Sequence, residues 1–345
     1  MAQTLSDKPI VSIIIPNFNG RAMLELCLQS LLRLDYPRKR LEIIVVDNAS
    51  TDGSQQLVRQ AHFIKLVALS RNEGFAVAAN AGVRESTGEF VALVNNDVEL
   101  STIWLVTLLG DLLRDPKAAA ATGKLLFKNR PNVVNDLGDT LLLNGAGIHR
   151  GLGTTDTASL KTTTYVGAAS GAACLIRKSA YLAAEGFDES YFAYFEDVDL
   201  GWRLWQLGFK VICNSSAIAY HSWQATSRKF GTSFRVYHCA KNSFATWLKN
   251  AQKQLLAQAF ALWVLRLFLE VARSVRTRDA KSILAIIRSL GWCVRNLRAI
   301  LTKRSMIQHR RVVTDSALIR SRVLGSLSDA LQETLRLHKL DLDLN

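Results

Sequence analysis

The chain has 345 residues, 49% apolar and 21% charged, which is ample for a sizeable core and excludes wholesale disorder. Its net charge of +14 is unevenly placed: residues 1–225 hold 21 Lys/Arg against 22 Asp/Glu, whereas 226–345 hold 22 against 7. The last third therefore suits an anionic partner, and five scattered cysteines without a C-x-x-C pair argue for a reducing compartment and against structural zinc.

The first residues, Met1–Pro9, contain no apolar h-region, so no secretory signal is expected. Ile10–Ile15 and Leu41–Val46 are β-branched runs apolar throughout, the pattern of parallel strands buried on both faces. Met23–Arg33, between them, has helical spacing. A second helix is expected over Ser54–Ala61, strands over Ile64–Leu69 and Phe90–Asn95, and a helix over Ala76–Ser86. Such alternation predicts an α/β layer with a mainly parallel sheet, whose ligands bind at the carboxyl ends of its strands. Those ends carry Pro16-Asn17-Phe18-Asn19, Asp47-Asn48, Ser70-Arg71-Asn72 and Asn95-Asn96-Asp97.

Residues 128–165 are rich in Gly, Asn and Thr and read as loops and short strands over the site. Tyr165–Ile176 is rich in small residues that let backbone approach a ligand. Helices are expected over Lys178–Ala184 and Val198–Leu207, and a strand over Lys210–Ala219. From about Phe234 the pattern is helical and basic. Gln254–Leu265 is charge-free for only 12 residues before Arg266, short of the ~20 needed to span a bilayer, so no transmembrane helix is expected.

Glu196-Asp197-Val-Asp199-Leu-Gly-Trp-Arg203 sets four charges beside the aromatic run Tyr191, Phe192, Tyr194 and Phe195. Desolvating a carboxylate in such a setting raises its pKa toward the range of a general base.

V-S-I-I-I-P-N-F-N-G (11–20), V-V-D-N-A-S-T-D-G-S (45–54), R-N-E-G-F-A-V-A-A-N-A-G (71–82) and L-V-N-N-D (93–97) resemble, in order, the donor-site motifs of family 2 glycosyltransferases. G-A-A-C-L-I-R (171–177), G-F-D-E-S-Y-F-A-Y-F-E-D-V-D-L-G-W-R-L (186–204) and Tyr220-His221 resemble that family's acceptor-side motifs, and the nearest subgroup is rhamnosyltransferase-like enzymes of bacterial surface polysaccharide assembly. The resemblance implies a GT-A fold over 9–225, with a donor half of about 9–100 and an acceptor half of about 101–225, followed by a basic all-α region over 226–345. It also implies a nucleotide-diphosphate sugar donor, a divalent metal (Mg²⁺ or Mn²⁺) and inversion at the anomeric carbon.

On this resemblance Pro16, Asn17, Asn19, Asp47, Asn48, Ser50, Asn72, Gly74, Asn80, Asn95 and Asn96 line the nucleotide. Ser50 or Asp52 capping the next helix is the plain alternative there; Asn72 equally suits a turn. Asn95 stands where the family's D-x-D has its first acid, leaving Asp97 as the carboxylate ligand, with His221 completing the metal's coordination. Gly171, Ala172, Phe192 and Arg203 fall on the acceptor side, where Asp199 and Arg203, at i and i+4, read as an ion pair. Asp197 is the expected base, with Glu196 binding the acceptor or raising Asp197's pKa; a helix N-cap is the alternative for Asp197. His149 has no motif context.

The basic tail suits an anionic membrane surface, where lipid-linked or glycan acceptors of similar enzymes sit, before an acidic protein or nucleic acid. The expected location is cytoplasmic, peripheral on the inner face of the plasma membrane. A sugar-phosphate nucleotidyltransferase and a non-catalytic scaffold are the other functional readings. The first would want a glycine-rich basic loop where Pro16–Gly20 stands.

Overall fold

The computed structural model describes residues 8–157, 162–222 and 230–343. Its elements are β1 Val11–Asn17, α1 Arg21–Leu31, β2 Leu41–Asp47, α2 Ser54–Gln60, β3 Ile64–Ala68, α3 Phe75–Glu85, β4 Phe90–Val94, β5 Val98–Leu100, α4 Trp104–Arg114, β6 Ala118–Phe127, β7 Arg130–Asp136, β8 Asp139–Leu141 and β9 Gly147–His149. β10 Thr163–Tyr165, β11 Ala173–Arg177, α5 Lys178–Ala183, α6 Glu196–Gln206 and β12 Lys210–His221 follow, and then five helices: α7 Gly231–Asn250, α8 Leu256–Arg276, α9 Ala280–Arg310, α10 Asp315–Arg320 and α11 Leu327–Asp343.

The main sheet runs β10-β12-β6-β11-β4-β1-β2-β3. β3, β2, β1 and β4 are parallel, as their apolar runs predict, and β11 lies antiparallel between β4 and β6. Side chains alternate across the sheet. Ile14, Ile44, Val46 and Leu93 face one apolar layer with α3 and α6, while Ile13, Ile15, Val45 and Val94 face another with α1 and α4. Small residues bring α3 close: a Cβ on Gly82 would stand 2.3 Å from Ile14 Cγ2.

β6 has no counterpart in the sequence-based expectations. Its start, Ala118-Ala-Ala-Ala, lacks the β-branched and aromatic residues that mark strands, yet all ten residues are buried. Crowding requires the glycine that follows, since a Cβ on Gly123 would meet the Ala217 carbonyl oxygen at 2.0 Å. The tract 128–165 forms β7 to β10, apart from 158–161, which lie outside the described residues.

The helical region shares the first apolar layer. Trp247, Leu262, Leu318 and Ala330 belong to the same buried cluster as Ile14. The domain boundary expected at 225/226 itself falls outside the described residues. A buried ionic network joins the two parts. Lys249 Nζ on α7 lies 2.5 Å from Asp188 and 3.0 Å from Asp199; Asp199 also pairs with Arg203, and Asp188 with Lys303 of α9. Burial alone would raise Asp188, but Lys249 and Lys303 hold it well below the usual carboxylate range.

Lys253–Arg276, contrary to the expectation from its charge spacing, is long and apolar enough to cross a membrane by length and composition. Arg266 does not end the apolar stretch; its guanidinium stacks 5.2 Å from the Phe195 ring centroid. The same helix buries Ala259, Leu262 and Trp263 and exposes Phe260, Val264 and Phe268.

Candidate active site

The carboxyl ends of β1, β2 and β4 converge on one edge of the sheet. Asn17 and Asp47 are register partners, and Asn17 Nδ2 donates to Asp47 Oδ1 (3.1 Å) and Ser50 Oγ (3.2 Å). Ser50 N and Gln55 Nε2 both reach Asp47 Oδ2 at 2.8 Å. Asn96 Nδ2 donates to Asn17 Oδ1 at 2.7 Å, and Ser50 Oγ accepts from Asn19 N at 2.9 Å. A Cβ on Gly20 would fall 2.2 Å from Asn96 Nδ2, so a larger residue there would have to displace this amide. Asp47 is thus 1% exposed with both oxygens hydrogen-bonded. Pro16 sits within β1 opposite Val46.

The third loop joins through Asn48, whose Nδ2 donates to the Gly74 carbonyl (3.3 Å) and whose Oδ1 accepts from Glu73 N (3.2 Å). Asn72 Oδ1 caps Gly74 N at 3.0 Å. Gly74, at φ +86, packs so close to Phe192 that a Cβ would lie 2.3 Å from its carbonyl oxygen. Phe75 N donates to that same oxygen, linking donor-side and acceptor-side motifs directly.

Asp97 is 9% exposed, with its Oδ1 3.4 Å from His221 Nε2. His221 Nδ1 lies 2.9 Å from Asn135 Oδ1. A carbonyl oxygen there accepts from Nδ1–H, which orients the ring with Nε2 toward Asp97. This pair can hold a divalent cation. Asn135 was not among the expected residues; no sequence signal marks it.

The acceptor side meets this edge through two backbone contacts. Asn95 N donates to the Ala172 carbonyl at 2.8 Å, and the preceding Gly171 N donates to Asp197 Oδ2 at 2.9 Å. Helix α6 starts two residues earlier than its apolar pattern predicts, so Glu196 and Asp197 open its first turn, where the macrodipole favours negative charge. The N-cap position belongs to Phe195, and no side chain caps the helix. Tyr194 and Phe195 have φ of +72 and +67, consecutive left-handed residues of the kind that collect at functional sites. Asn242 of α7, fully buried, holds this loop by donating to the carbonyls of Ala193 (2.8 Å) and Tyr194 (2.7 Å).

Burial, and then the neighbouring Asp197 charge, push the Glu196 carboxyl up to about 8. Burial also raises Asp197, against the Gly171 amide. The shift of Glu196 leaves a carboxyl able to exchange protons near neutrality.

Two expected site residues point away from this cleft. Asn80 is consumed by structure: its Oδ1 accepts from Tyr181 Oη (2.5 Å) and Phe187 N (3.1 Å), and its Nδ2 donates to Phe187 O (2.9 Å) and Glu189 (3.0 Å). Arg203 is 7% exposed, paired with Asp199 at 2.8 Å and donating to the Ala184 carbonyl. Phe192 packs between Gly74 and α7, its ring 5.9 Å from Phe234 and 5.4 Å from His238.

The fold has clear neighbours among solved structures. A mannosyltransferase from Pyrobaculum calidifontis in complex with GDP-Man and Mn²⁺ superposes with TM-score 0.55 at 19% identity, over 93% of this chain and 88% of that one. Residues 1–349 of TarS from S. aureus, in complex with UDP-GlcNAc, give 0.58 at 16% identity, over 94% and 92%. These likenesses define a GT-A architecture. The profile described as Glycosyl transferase family 2 matches residues 12–182. An N-acetylglucosaminyl-diphospho-decaprenol L-rhamnosyltransferase of Mycobacterium tuberculosis is 30% identical over 222 residues, 57% of this chain and 72% of the relative. The chain belongs to glycosyl transferase family 2 and is a glycosyltransferase, which sets aside the nucleotidyltransferase and scaffold readings.

Proposed function

We propose that this glycosyltransferase moves a sugar, rhamnose on the strength of the mycobacterial relative, from a nucleotide diphosphate to a hydroxyl of a lipid-linked or glycan acceptor in surface polysaccharide assembly, with inversion. The carrying observation is the pair of contacts Asn95–Ala172 and Gly171–Asp197, which ties the strand-end donor loops to the acidic turn of α6.

In this reading Asp47, Asn17, Asn19, Asn48 and Ser50 shape the nucleotide site, with Pro16, Asn72, Gly74, Asn95 and Asn96 around it. Asp97 and His221 hold Mg²⁺ or Mn²⁺; a carboxylate with one imidazole suits Mn²⁺ somewhat better. When bound, the ion supplies positive charge to the leaving diphosphate. Asp197 takes the acceptor hydroxyl proton as that oxygen bonds to the anomeric carbon and the carbon–diphosphate bond breaks from the opposite face. Glu196, protonated near neutrality, hydrogen-bonds the acceptor.

The test is transfer from a panel of nucleotide sugars with Mn²⁺, comparing wild type with Asp197→Asn. A positioned base contributes ~10²–10⁴-fold, so the variant should lose at least ~100-fold in kcat; wild-type turnover in it removes Asp197 from the mechanism.

Membrane association completes the reading. α8 exposes Phe260, Val264 and Phe268, and α9 exposes Ile287, Leu290, Val294, Leu297 and Leu301 beside Arg288, Arg295 and Arg298. Apolar stripes flanked by arginines fit an anionic inner leaflet. Co-sedimentation with phosphatidylserine vesicles should weaken as salt rises; absence of binding at low salt rejects this part.

A further inference from the structure

A second cluster of ligating atoms lies on the acceptor side. Asp136 ends β7, Asp139 opens β8, and His149, its register partner, closes β9. The ligand atoms all lie within 4.8 Å of one another. His149 Nδ1 is 2.9 Å from Asp139 Oδ1 and 3.6 Å from Asp136 Oδ2. Ligands held ~2.1 Å from one ion stand about 3.0 Å apart at a right angle and about 3.4 Å apart at the tetrahedral angle. The two imidazole–carboxylate distances lie close to that range.

The second observation is an orphaned charge. Asp136 is 2% exposed, and neither of its carboxylate oxygens has a hydrogen bond. Asp139 Oδ1, in a residue 1% exposed, lacks an aligned donor as well, despite its closeness to the imidazole. Among the described residues no Lys or Arg pairs with either carboxylate, and a single Nδ1–H cannot serve both. A buried carboxylate with no donor, beside a second whose Oδ1 has only the imidazole near it, is costly; a dication placed among them removes that cost.

Local geometry builds the site deliberately. Leu125 faces Asp136 while Leu126 faces Val134, so β7 carries one extra residue, a bulge that re-aims side chains. Through it Asn135 serves His221 while Asp136 serves the new cluster. Gly138, at φ +79, turns the chain between the two aspartates. Gly147 presses the hairpin onto α6: a Cβ there would meet Val198 Cγ2 at 2.7 Å and Asp139 Cγ at 3.3 Å. The cluster thus abuts the turn that carries Asp197.

We propose that Asp136, Asp139 and His149 form a second divalent-cation site, separate from Asp97 and His221, which pins the β8–β9 hairpin against the start of α6. Two carboxylates and one imidazole select Mn²⁺ or Zn²⁺ over Mg²⁺.

Equilibrium dialysis of the full chain against Mn²⁺, and separately Zn²⁺, without nucleotide tests this, bound metal being counted by mass spectrometry. Wild type should bind at least one equivalent. His149→Ala, which removes a partly exposed side chain, should weaken that binding at least ~10-fold, and Asp136→Asn should do the same; Asp97→Asn should leave it within twofold. Melting curves of the metal-free proteins establish that each variant is folded. Three results each overturn the proposal: no uptake by wild type, equal uptake by folded His149→Ala and wild type, or loss of this equivalent in Asp97→Asn. Sugar transfer is not the readout, so failure of the donor reading and failure of this site are distinguishable.

Discussion

Asn242→Ala tests whether the helical region shapes the catalytic turn. The native amide makes two hydrogen bonds to the loop, and its own Oδ1 accepts from Lys241 Nζ at 2.7 Å, which fixes the amide's orientation. Losing both bonds removes ~2–3 kcal/mol. The loop they restrain holds Tyr194 and Phe195 left-handed, at a cost of ~1–3 kcal/mol each. These magnitudes are comparable, so without Asn242 the loop relaxes and recovers part of the loss. Global stability in urea should therefore fall by only ~1–2 kcal/mol, while displacement of Glu196 and Asp197 should lower kcat about 10–100-fold, as small misplacements do. Donor KM should change little, because the strand-end loops are untouched. A variant with wild-type kcat, or one whose loss is entirely in stability, refutes the reasoning.

Lys249→Ala leaves Asp188 and Asp199 buried with one cation fewer, and breaking such a pair costs ~3–5 kcal/mol, whereas Lys303→Ala, at a side chain 45% exposed, should cost under ~1 kcal/mol; chemical denaturation of both separates them, and equal effects would discredit the network. Glu196 has a folded-state pKa raised from 4.5 to about 8, so the folded state retains a proton that the unfolded state releases. Stability from this group is intact below pH 4.5 and declines up to about pH 8. Glu196→Gln should accordingly melt higher than wild type at pH 9, with the difference shrinking toward pH 4.5; a pH-independent difference contradicts the assignment. Asn135→Ala should weaken Mn²⁺ binding in the presence of nucleoside diphosphate by ~10–100-fold, the usual effect of losing a partner that orients a ligating histidine, read by titration calorimetry.

The donor half was legible because each strand is a continuous β-branched run that ends at a polar cluster, a signal carried entirely by local sequence. Asn17, Asp47 and Asn96 meet for that reason. β6 was not legible: its alanines carry little strand propensity, and its Gly123 answers to the Ala217 carbonyl of β12, a tertiary constraint that propensity does not record. Asn80 sits inside a recognisable motif but spends its polar atoms on Phe187, Tyr181 and Glu189, so motif membership alone did not reveal which way it faces, whereas the i, i+4 spacing did announce the Asp199–Arg203 pair. Asn135, Asp136, Asn242 and His149 come from a loop-rich tract and from a distant helix. The partners of Asn135 and Asn242 lie dozens of residues away, Asp136 and His149 meet only once the hairpin has formed, and nothing in their neighbours announces the contact.

The most direct measurement is a crystal structure of the protein with a nucleoside diphosphate and Mn²⁺. The base should lie at the strand ends beside Asp47, the diphosphate should share the ion with Asp97, and Asp197 should face the vacant sugar position from the side opposite the leaving group. A nucleotide seated away from that edge, or one whose diphosphate end is walled off from Asp197, would contradict the account.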